Sequence, residues 1–456
     1  QCHDHKFDPL SMEEFYALGA FFADIDDEEH LRNQYDGRNT NPTRREPQMP
    51  VTSVYQRQRL ERINMAIESL DPTQDAEAFA ALEAERAKAT APTQLVISKS
   101  SEPREVRVLG RGDWQDESGK VVQPRAPEAL GWEPNEEQRA TRLDLARWLV
   151  DAENGSGDLT ARVMANRFWY LMFGEGIATV LDDFGGQGQP PTHPKLLDTL
   201  AIEFVESGWD VKHIMKQIAM SRTYRQSSTA SAELLARDPY NQLLARQGRF
   251  RLPAEAIRDT ALAVSDLLVG GVGGPSAKPY QPAGYYKNLN YPKREYEADT
   301  DRNQWRRGLY VHWQRQYLQP MLKAFDAPTR EVCTAKRPRS NTPLASLALL
   351  NDPTFVEAAR HLAAEVIAQD SAGTDQRIAT MYRRAVSREP DDFEREQLAR
   401  LVESQLVHYA ENPEAADALL GVGLTDAPSD ADKAELAAWT FAARTVLNLS
   451  ETLTRN

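Results

Sequence analysis

Hydrophobic side chains recur at helical spacing along most of this chain. Leu143, Ala146 and Val150 define one helix, and an apolar run that follows defines a second, which Gly174 would end. Further helices are predicted to begin near Pro194, Asp210, Pro253 and Pro353 and to fill residues 375–388, 391–410 and 431–453. The pattern predicts a mainly α fold built on a multi-helix domain.

Two segments nearer the N-terminus also have helical spacing. Ser11 and Glu14 have the sequence of a capping box. The apolar stripe that follows comprises Phe15, Leu18, Phe22 and Ile25. Residues 57–91 predict a pair of heavily charged helices with few large apolar side chains, which is typical of a protruding arm.

Short β elements interrupt the helical pattern. Apolar and polar residues alternate in two short runs that predict a small β element near residues 95–112. The residues up to 135 are rich in Pro, Gly and polar side chains and predict a linker. Alternation along 309–313 predicts a further strand.

Composition narrows the classes of partner. The 456 residues carry a formal net charge of −14, so we expect no nucleic-acid partner. No apolar run reaches the roughly 18 residues that a membrane-spanning helix needs, so no membrane span is expected. Two cysteines, Cys2 and Cys333, are too few for a disulfide framework.

One stretch of this acidic chain is strongly basic. Residues 302–339 hold nine Lys or Arg and two acids, a local charge of +7. Guanidinium groups make bidentate hydrogen bonds to carboxylate, sulfate and phosphate. The candidate contacts for an anionic ligand are therefore Arg330, Arg337 and Arg339, with Asn341 beside them. The alternative is that these arginines are solvated or paired with acids elsewhere.

An aromatic segment overlaps this basic stretch. Residues 280–317 hold seven Tyr and two Trp without a helical or alternating period. Tyr285, Tyr286 and Trp305 are candidate platforms for sugar rings, because aromatic faces pack on the C–H surfaces of sugars. The alternative is ordinary packing of this segment on the core.

Two residues are the best candidates for acid/base chemistry. His193 lies at a predicted helix start, where a ring that faces the positive end of the helix dipole stays neutral and can act as a base. Asp326 lies within the basic stretch. Arg167 and Trp169, on an apolar helix, are candidate pocket residues. The alternative for His193 is a helix cap. The alternative for Arg167 and Trp169 is a hydrogen-bonded network within the core.

The N-terminal residues contain groups that bind metals. Cys2-His3 is the second half of C-x-x-C-H, the motif that attaches haem c through two thioethers and an axial His. A metal site made of His3, His5 and Asp8 is a weaker interpretation, because ligands so close in sequence rarely reach one ion without distant help. A local disulfide within a polar loop is the third.

Eight stretches carry a resemblance to a known family. They are RLDLARWLV, LTARVMANRFW, DDFGGQGQPPTHPKLLD, ESGWDVK, SRTYRQSS, RFRLPAEAIRD, FDAPTREVC and RPRSNTPLASLALLNDPTF. Together they resemble a large bacterial family of unknown function that is best known from planctomycetes. At the N-terminus, CHDHKFDPLS is similar to the end of the planctomycete-type cytochrome-like domain that precedes this family's own domain. The chain departs from the family at Ala345 and Ser346, where Gln-Ala is usual, and at 154–158, which replaces a shorter turn.

The resemblance implies another Cys just upstream of Gln1, in which case Cys2 forms a thioether and His3 ligates haem iron. It also implies an exported or periplasmic location. With the patterns above it predicts four parts: the end of a cytochrome-like domain (1–30), a charged helical arm (31–94), a short β element with a linker (95–135) and a helical domain of unknown function (136–456).

These features predict an exported, cytochrome-linked protein that binds an anionic carbohydrate, sulfated or uronic, between the aromatic segment and the basic stretch. An upstream haem favours oxidation as the chemistry. An anionic polysaccharide and a redox partner are the expected partners. Two alternatives stay open: a non-catalytic structural or docking module that recognises a partner protein, and a metal-assisted hydrolase acting through His3, His5 and Asp8.

Overall fold

The computed structural model describes residues 3–26, 47–133, 138–289, 295–314, 316–369 and 373–455. Within them the fold is mainly α, which confirms the predicted class. The α-helices span Met12–Ala20, Val54–Glu68, Ala76–Thr90, Arg142–Val150, Gly157–Phe173, Pro194–Glu206, Val211–Met220, Ala232–Arg237, Ala254–Val264, Pro320–Ala324, Pro343–Asn351, Pro353–Ala368, Thr374–Val386, Asp392–Glu411, Pro413–Leu420, Lys433–Leu447 and Ser450–Leu453. Short 3-10 helices span Gly110–Gly112, Glu128–Leu130, Arg302–Trp305 and Gly308–Tyr310. No helix of the described residues is both long enough and apolar enough to cross a membrane.

Many helix ends fall where the sequence places its caps. Ser11 and Glu14 form the complete capping box that was predicted. Gly174 adopts the left-handed conformation (φ 84°) and ends the long apolar helix that precedes it. Pro194 and Pro353 occupy the first turns of their helices, where a missing N–H costs no hydrogen bond.

The β structure consists of short strand pairs. The antiparallel pairs are Ile25–Asp26 with Lys99–Ser100, Gln48–Val51 with Thr93–Val96, and Val106–Arg107 with Val121–Val122. Two further strands span Phe250–Arg251 and Thr454–Arg455. The β element near 95–112 is therefore present, but its strands pair with three other segments and not with each other.

The further strand expected along 309–313 does not extend over that range. The 3-10 helix Gly308–Tyr310 takes its place, and Val311 forms an isolated bridge with Ala277. Gly308 lies so close to Glu255 in this turn that a Cβ would approach the Glu255 Cα to 2.8 Å. The Gly308 N–H also donates to the Asp259 carboxylate at 2.6 Å.

The chain forms two compact units. The first comprises Gln1–Asn33 and Ile97–Phe250, and the second comprises Gln34–Val96 and Arg251–Arg455. The predicted helical domain is thus divided at residue 250, and the predicted arm belongs with its C-terminal part.

The core of the first unit lies between the helices Gly157–Phe173, Pro194–Glu206 and Val211–Met220. Phe168 and Phe204 meet edge to face there, with ring centroids 5.5 Å apart. The packing of these helices follows the apolar periodicity of the sequence.

The first helix packs through a different face from its apolar stripe. Phe15 and Phe22 are 48% and 47% exposed, whereas the small side chains of Ala17 and Ala20 are buried. Phe21, just after the helix, packs edge-on against Trp132 with the ring centroids 5.4 Å apart. The small side chains of Ala17 and Ala20 let this helix pack closely against the first unit. The spacing of large apolar residues does not predict which face is buried.

Helix Pro353–Ala368 lies at the centre of the second unit. Every residue from Thr354 to Arg360 is buried. The helix packs against Lys433–Leu447, and both contribute fully buried alanines to the shared core. Small side chains on both helices permit a short distance between their axes.

The predicted arm consists of the helices Val54–Glu68 and Ala76–Thr90, which we call the arm hairpin. The Gln56 amide closes its base by donating to the carbonyl oxygens of Ala89 (2.6 Å) and Ala91 (2.7 Å). The hairpin therefore has a fixed base, and one of its faces lies opposite residues 297–305 of the second unit.

Candidate ligand-binding site

A cavity of about 950 Å³ lies in the second unit between the arm hairpin and residues 297–305, which we call the wall segment. The arm hairpin contributes Arg62 and Lys88 to its lining. Lys278 and Arg302 line it from the opposite side, together with Trp305. Its volume is within the range of about 300–1,000 Å³ that is usual for ligand pockets.

Buried polar side chains fix the backbone of the wall segment. The Gln304 amide donates to the carbonyl oxygens of Asp299 (2.6 Å) and Lys278 (3.3 Å). Behind it, the fully buried Arg258 guanidinium donates to the carbonyl oxygens of Gln304 and, at 2.5 Å, of Arg306. These bonds fix the backbone at Lys278 and on both sides of Arg302, two of the cations that line the cavity.

Arg306 joins the wall segment to the base of the arm hairpin. Its guanidinium lies between the rings of Tyr55 and Tyr310, 4.2 Å from each centroid, and donates to the carbonyl oxygens of Gly273 and Pro275. Tyr55 is a residue of the arm hairpin, and its hydroxyl donates to Asn303 of the wall segment. The base of the hairpin and the wall segment are therefore connected directly.

Glu357 holds the indole of Trp305 in place. Glu357 is fully buried, and its Oε2 accepts hydrogen bonds from Trp305 Nε1 (3.0 Å) and from the Tyr280 hydroxyl (2.9 Å). Its Oε1 accepts the backbone N–H groups of Leu424 (2.8 Å) and Thr425 (2.9 Å). Burial opposes the charged form, but hydrogen bonds from Thr425, Trp305 and Tyr280 outweigh it and lower the pKa of Glu357.

The charges that line the cavity are unequally paired. Arg59 bridges Glu85 (3.0 Å) and Asp301 (3.2 Å). Burial raises the pKa of Asp299 and the nearby Asp301 carboxylate raises it further, while the hydrogen bond from the Lys278 N–H opposes the rise. Among the described residues, four lining cations have no ion pair: Arg62, Lys88, Lys278 and Arg302. In all, five cations and four acids line the cavity, a formal excess of one positive charge; the acids are Glu85, Glu297, Asp299 and Asp301.

Asp326, one of the two predicted acid/base residues, holds together the ends of the basic loop 326–340. Its carboxylate accepts hydrogen bonds from the Arg251 guanidinium, the Ser340 N–H (2.7 Å) and the Ser340 hydroxyl (2.8 Å). Burial opposes the charged form, but these bonds outweigh it and lower the pKa of Asp326. A carboxylate so engaged is a weak base, and this geometry gives it a structural role.

The predicted anion contacts lie on the same loop, outside the cavity lining. The Arg330 guanidinium stacks on Trp313, 3.6 Å from the ring centroid, and Arg337 pairs with Glu255 at 2.7 Å. Arg339 and Asn341 are exposed. Arg330 and Arg337 are therefore bound to the protein's own side chains, as the ion-paired interpretation expects.

Of the predicted aromatic platforms, only Trp305 lines the cavity. Tyr286 is buried and packs against Tyr296 and Tyr317, with ring centroids 5.5 and 5.6 Å away. The Tyr285 hydroxyl donates to the carbonyl oxygen of Leu318 at 3.0 Å. Both tyrosines thus belong to an ordinary packed cluster, which was the alternative to a sugar platform.

Three further predicted residues belong to the first unit. Trp169 is buried and stacks on Phe173, with the ring centroids 4.1 Å apart, so it is a core residue. Arg167 is exposed. His193 is the residue just before helix Pro194–Glu206, and its Nδ1 lies 3.1 Å from Thr192 Oγ1. Asn166, next to Arg167, is satisfied by two hydrogen bonds with the backbone of Ala178.

The predicted metal-binding residues make local contacts. His3 Nδ1 lies 2.6 Å from the Asp4 carbonyl oxygen, and His5 Nδ1 lies 3.1 Å from Asp8 Oδ2. Asp8 Oδ1 accepts the Gly186 N–H at 2.9 Å. In the part of the chain that the structure describes, no three His, Cys, Asp or Glu side chains are grouped as metal ligands. Cys2 lies outside the described residues, and the metal site stays a prediction.

Sequence reasoning missed most of the cavity residues. Arg302 and Trp305 fell within stretches singled out as basic and aromatic, but Arg62, Lys88 and Lys278 did not. Arg59 and Arg62 lie three residues apart on one face of the arm hairpin, and that spacing was the available signal. The sequence predicts that this helix face is solvated. A row of cations on such a face does not identify the segment that lies opposite.

The described residues form a mainly α protein with a cavity in its second unit. Residues 141–402 match PSD1, a family described as a protein of unknown function (DUF1553). The chain therefore belongs to the PSD1 family. No curated protein and no solved structure matches the chain.

Proposed function

We propose that this protein is exported and cytochrome-linked, and that its second unit binds an anionic carbohydrate, sulfated or uronic, in the cavity. The observation that supports the binding most directly is the group of lining cations without an ion pair, which gives the cavity a formal excess of one positive charge over its four acids. Arg62, Lys88, Lys278 and Arg302 have no ion pair among the described residues, in a chain whose net charge is −14. Guanidinium and ammonium groups beside a cavity attract sulfate and carboxylate groups.

Trp305 is the reason for proposing a carbohydrate and not a simple anion. Its Nε1–H already donates to Glu357 and its side chain is only 8% exposed, so it offers a ligand a small apolar part of the indole at the cavity wall. Sugar rings present C–H faces that pack on such surfaces, while their anionic substituents reach surrounding cations. Cations combined with an aromatic surface match both parts of an acidic sugar.

Binding is tested by comparing a chondroitin sulfate hexasaccharide, which carries sulfate and uronate groups, with maltohexaose, which carries neither. We expect the charged sugar to bind at least about tenfold more tightly, a difference of about 1.4 kcal/mol in binding free energy. Equal affinities would contradict the proposal. Arg337→Gln with Arg339→Gln should leave the affinity unchanged, and a loss would place the binding site on the basic loop.

The cytochrome link is supported by the Cys2-His3 motif and by the position of His3. His3 Nδ1 is engaged by the Asp4 carbonyl oxygen, which leaves Nε2 as the nitrogen that could ligate iron. A haem c supplies electron transfer when bound, so oxidation of the carbohydrate is the chemistry proposed with it. The spectrum of the protein expressed from its complete gene in a host that attaches haem c tests this part. A sharp reduced α-band is expected, and its absence would contradict the haem.

A docking module is the second candidate, and a specific surface favours it. Helix Pro343–Asn351 exposes Leu344 (62%) and Leu347 (53%), and Val332 on the basic loop is 73% exposed. Exposed apolar side chains beside cations are typical of protein interfaces. Leu344→Ser with Leu347→Ser should release a co-purifying partner if this candidate is right, without changing the affinity for anionic sugars.

A further inference from the structure

We infer that the anionic carbohydrate also carries an ammonium group, as an amino sugar with a free amine does, and that acids of the wall segment receive it. This rests on the proposed binding of an anionic carbohydrate and adds a second kind of charged group to the ligand. The cavity is lined by acids as well as by cations, and the two signs are distributed unevenly between its sides.

The acids that remain for a ligand lie on one side of the cavity. Glu85 of the arm hairpin and Asp301 of the wall segment are both ion-paired with Arg59, at 3.0 and 3.2 Å. Glu297 and Asp299 also line the cavity, and neither has an ion pair in the part of the chain that the structure describes. Both of these carboxylates belong to the wall segment.

The arm hairpin faces them with cations. Arg62 and Lys88 line the cavity from the hairpin, whereas Lys278 and Arg302 line it from the side of the two acids. An anionic group of a ligand is therefore attracted without opposition at the hairpin. On the other side it is also repelled by carboxylates. A ligand that places an ammonium group there replaces this repulsion by attraction.

Asp299 shows that the protein's own cations leave negative charge uncompensated on this side. Burial raises the pKa of Asp299 and the Asp301 carboxylate raises it further, although Lys278 and Arg306 act in the opposite direction. Its Oδ2 accepts the Lys278 backbone N–H at 2.7 Å, which is a neutral donor. An ammonium group in the cavity would favour the charged form of Asp299 and would bind to it in turn.

Two carboxylates match the needs of an ammonium group. Its three N–H donors are satisfied by two or three acceptor oxygens, whereas Ca²⁺ and Mg²⁺ take about six or more oxygen ligands. Glu297 and Asp299 lie two residues apart in the wall segment and offer acceptors of this number. An amine on a sugar ring also lies within reach of sulfate or carboxylate groups of the same ligand, so one amino sugar presents both signs of charge.

The test uses two heparin-derived hexasaccharides that have the same O-sulfate and uronate groups. In one probe, removal of the N-sulfates leaves free amines, and in the other these amines are acetylated. At neutral pH the first probe carries ammonium groups that the second lacks. We expect the native chain to bind the amine probe at least about tenfold more tightly than the acetylated probe, as measured by calorimetry.

Variants of the two acids identify the side that recognises the amine. Glu297→Gln with Asp299→Asn keeps the acceptor oxygens but removes both charges, so this variant should bind the two probes equally. Glu295→Gln is the matched control, because Glu295 is an exposed residue just before the wall segment that does not line the cavity. It should keep the preference of the native chain for the amine probe.

A variant of the arm hairpin tests the opposite side. Arg62→Gln should weaken both probes by the same factor, about tenfold, because both carry the anionic groups that the hairpin attracts. Arg57→Gln is its matched control, since Arg57 is an exposed arginine of the same helix that does not line the cavity, and it should change neither affinity.

Two results would overturn the inference and leave anionic binding in place. One is equal affinity of the native chain for the two probes. The other is a preference for the amine probe that persists in Glu297→Gln with Asp299→Asn. Absence of binding by both probes would instead overturn the proposed function itself, so the two failures are distinguishable.

Discussion

At the scale of single residues, Glu357 is the side chain on which the cavity depends most. Removing a carboxylate that is fully buried and accepts from two aromatic side chains and two backbone N–H groups leaves those donors without an acceptor. Such losses are large because a buried polar group without a partner keeps the full cost of its desolvation. Trp305 would lose the bond that fixes its ring at the same time.

Glu357→Gln keeps one acceptor oxygen but sets an NH2 group against the donors at the other, and it is expected to lower the free energy of unfolding by about 3 kcal/mol. Urea denaturation at neutral pH measures the change. Glu365→Gln is the matched control, because Glu365 is an exposed residue of the same helix and its loss should change stability by less than about 0.5 kcal/mol. Equal effects of the two substitutions would contradict the role assigned to Glu357.

The same residue gives a pH dependence with a definite sign. The folded-state pKa of Glu357 is lowered, so the stability it contributes is fully present above the unfolded pKa of about 4.3 and is lost as the pH falls through the folded value. The stability difference between the native chain and Glu357→Gln should therefore be constant at neutral pH and shrink under acid conditions. A difference that grew on acidification would contradict this account.

At the scale of elements, the glycine-rich segment 270–274 packs against Tyr55 and anchors the base of the arm hairpin. A Cβ at Gly274, where φ is +87°, would approach the Tyr55 ring to 2.6 Å, and one at Gly271 to 2.3 Å. At Gly270 a Cβ would meet nothing within 4 Å. The glycines thus permit the close approach that holds Tyr55 against Arg306.

Gly274→Ala should therefore lower the free energy of unfolding by about 2 kcal/mol and raise hydrogen exchange in the arm hairpin, because strain and overlap act together. Gly270→Ala in the same segment is the control and should change neither quantity. Exchange measured by mass spectrometry separates the two variants. Identical behaviour would show that Tyr55 does not anchor the hairpin.

The helices were largely predictable from sequence because their signals are local. Caps at Ser11 and Asp210, the stop at Gly174 and the first-turn Pro353 all lie within a few residues of the ends that they specify. The partners of the first two strand pairs and the buried face of the first helix were not predictable, since both depend on segments distant in sequence, such as Ser100 for Ile25 and Trp132 for Phe21. The cavity was not predictable for the same reason, because its two sides come from residues 55–88 and 278–305, which are far apart in sequence.

At the scale of the whole molecule, the cations that line the cavity belong to a chain that is acidic overall. With a net charge of −14, the long-range field of the chain repels polyanions, so attraction must come from cations close to the ligand. Neutralising those few cations should remove binding, whereas neutralising a distant cation should not. The acidic background also opposes adventitious binding of anionic polymers elsewhere on the surface.

The most direct measurement is the affinity of the chondroitin sulfate hexasaccharide for Lys278→Gln with Arg302→Gln, determined by calorimetry beside the native chain and Arg57→Gln. We expect the double variant to bind at least about a hundredfold more weakly and Arg57→Gln to bind as the native chain does. Native-like affinity in the double variant, with the protein folded, would contradict the cavity as the site of anionic carbohydrate binding.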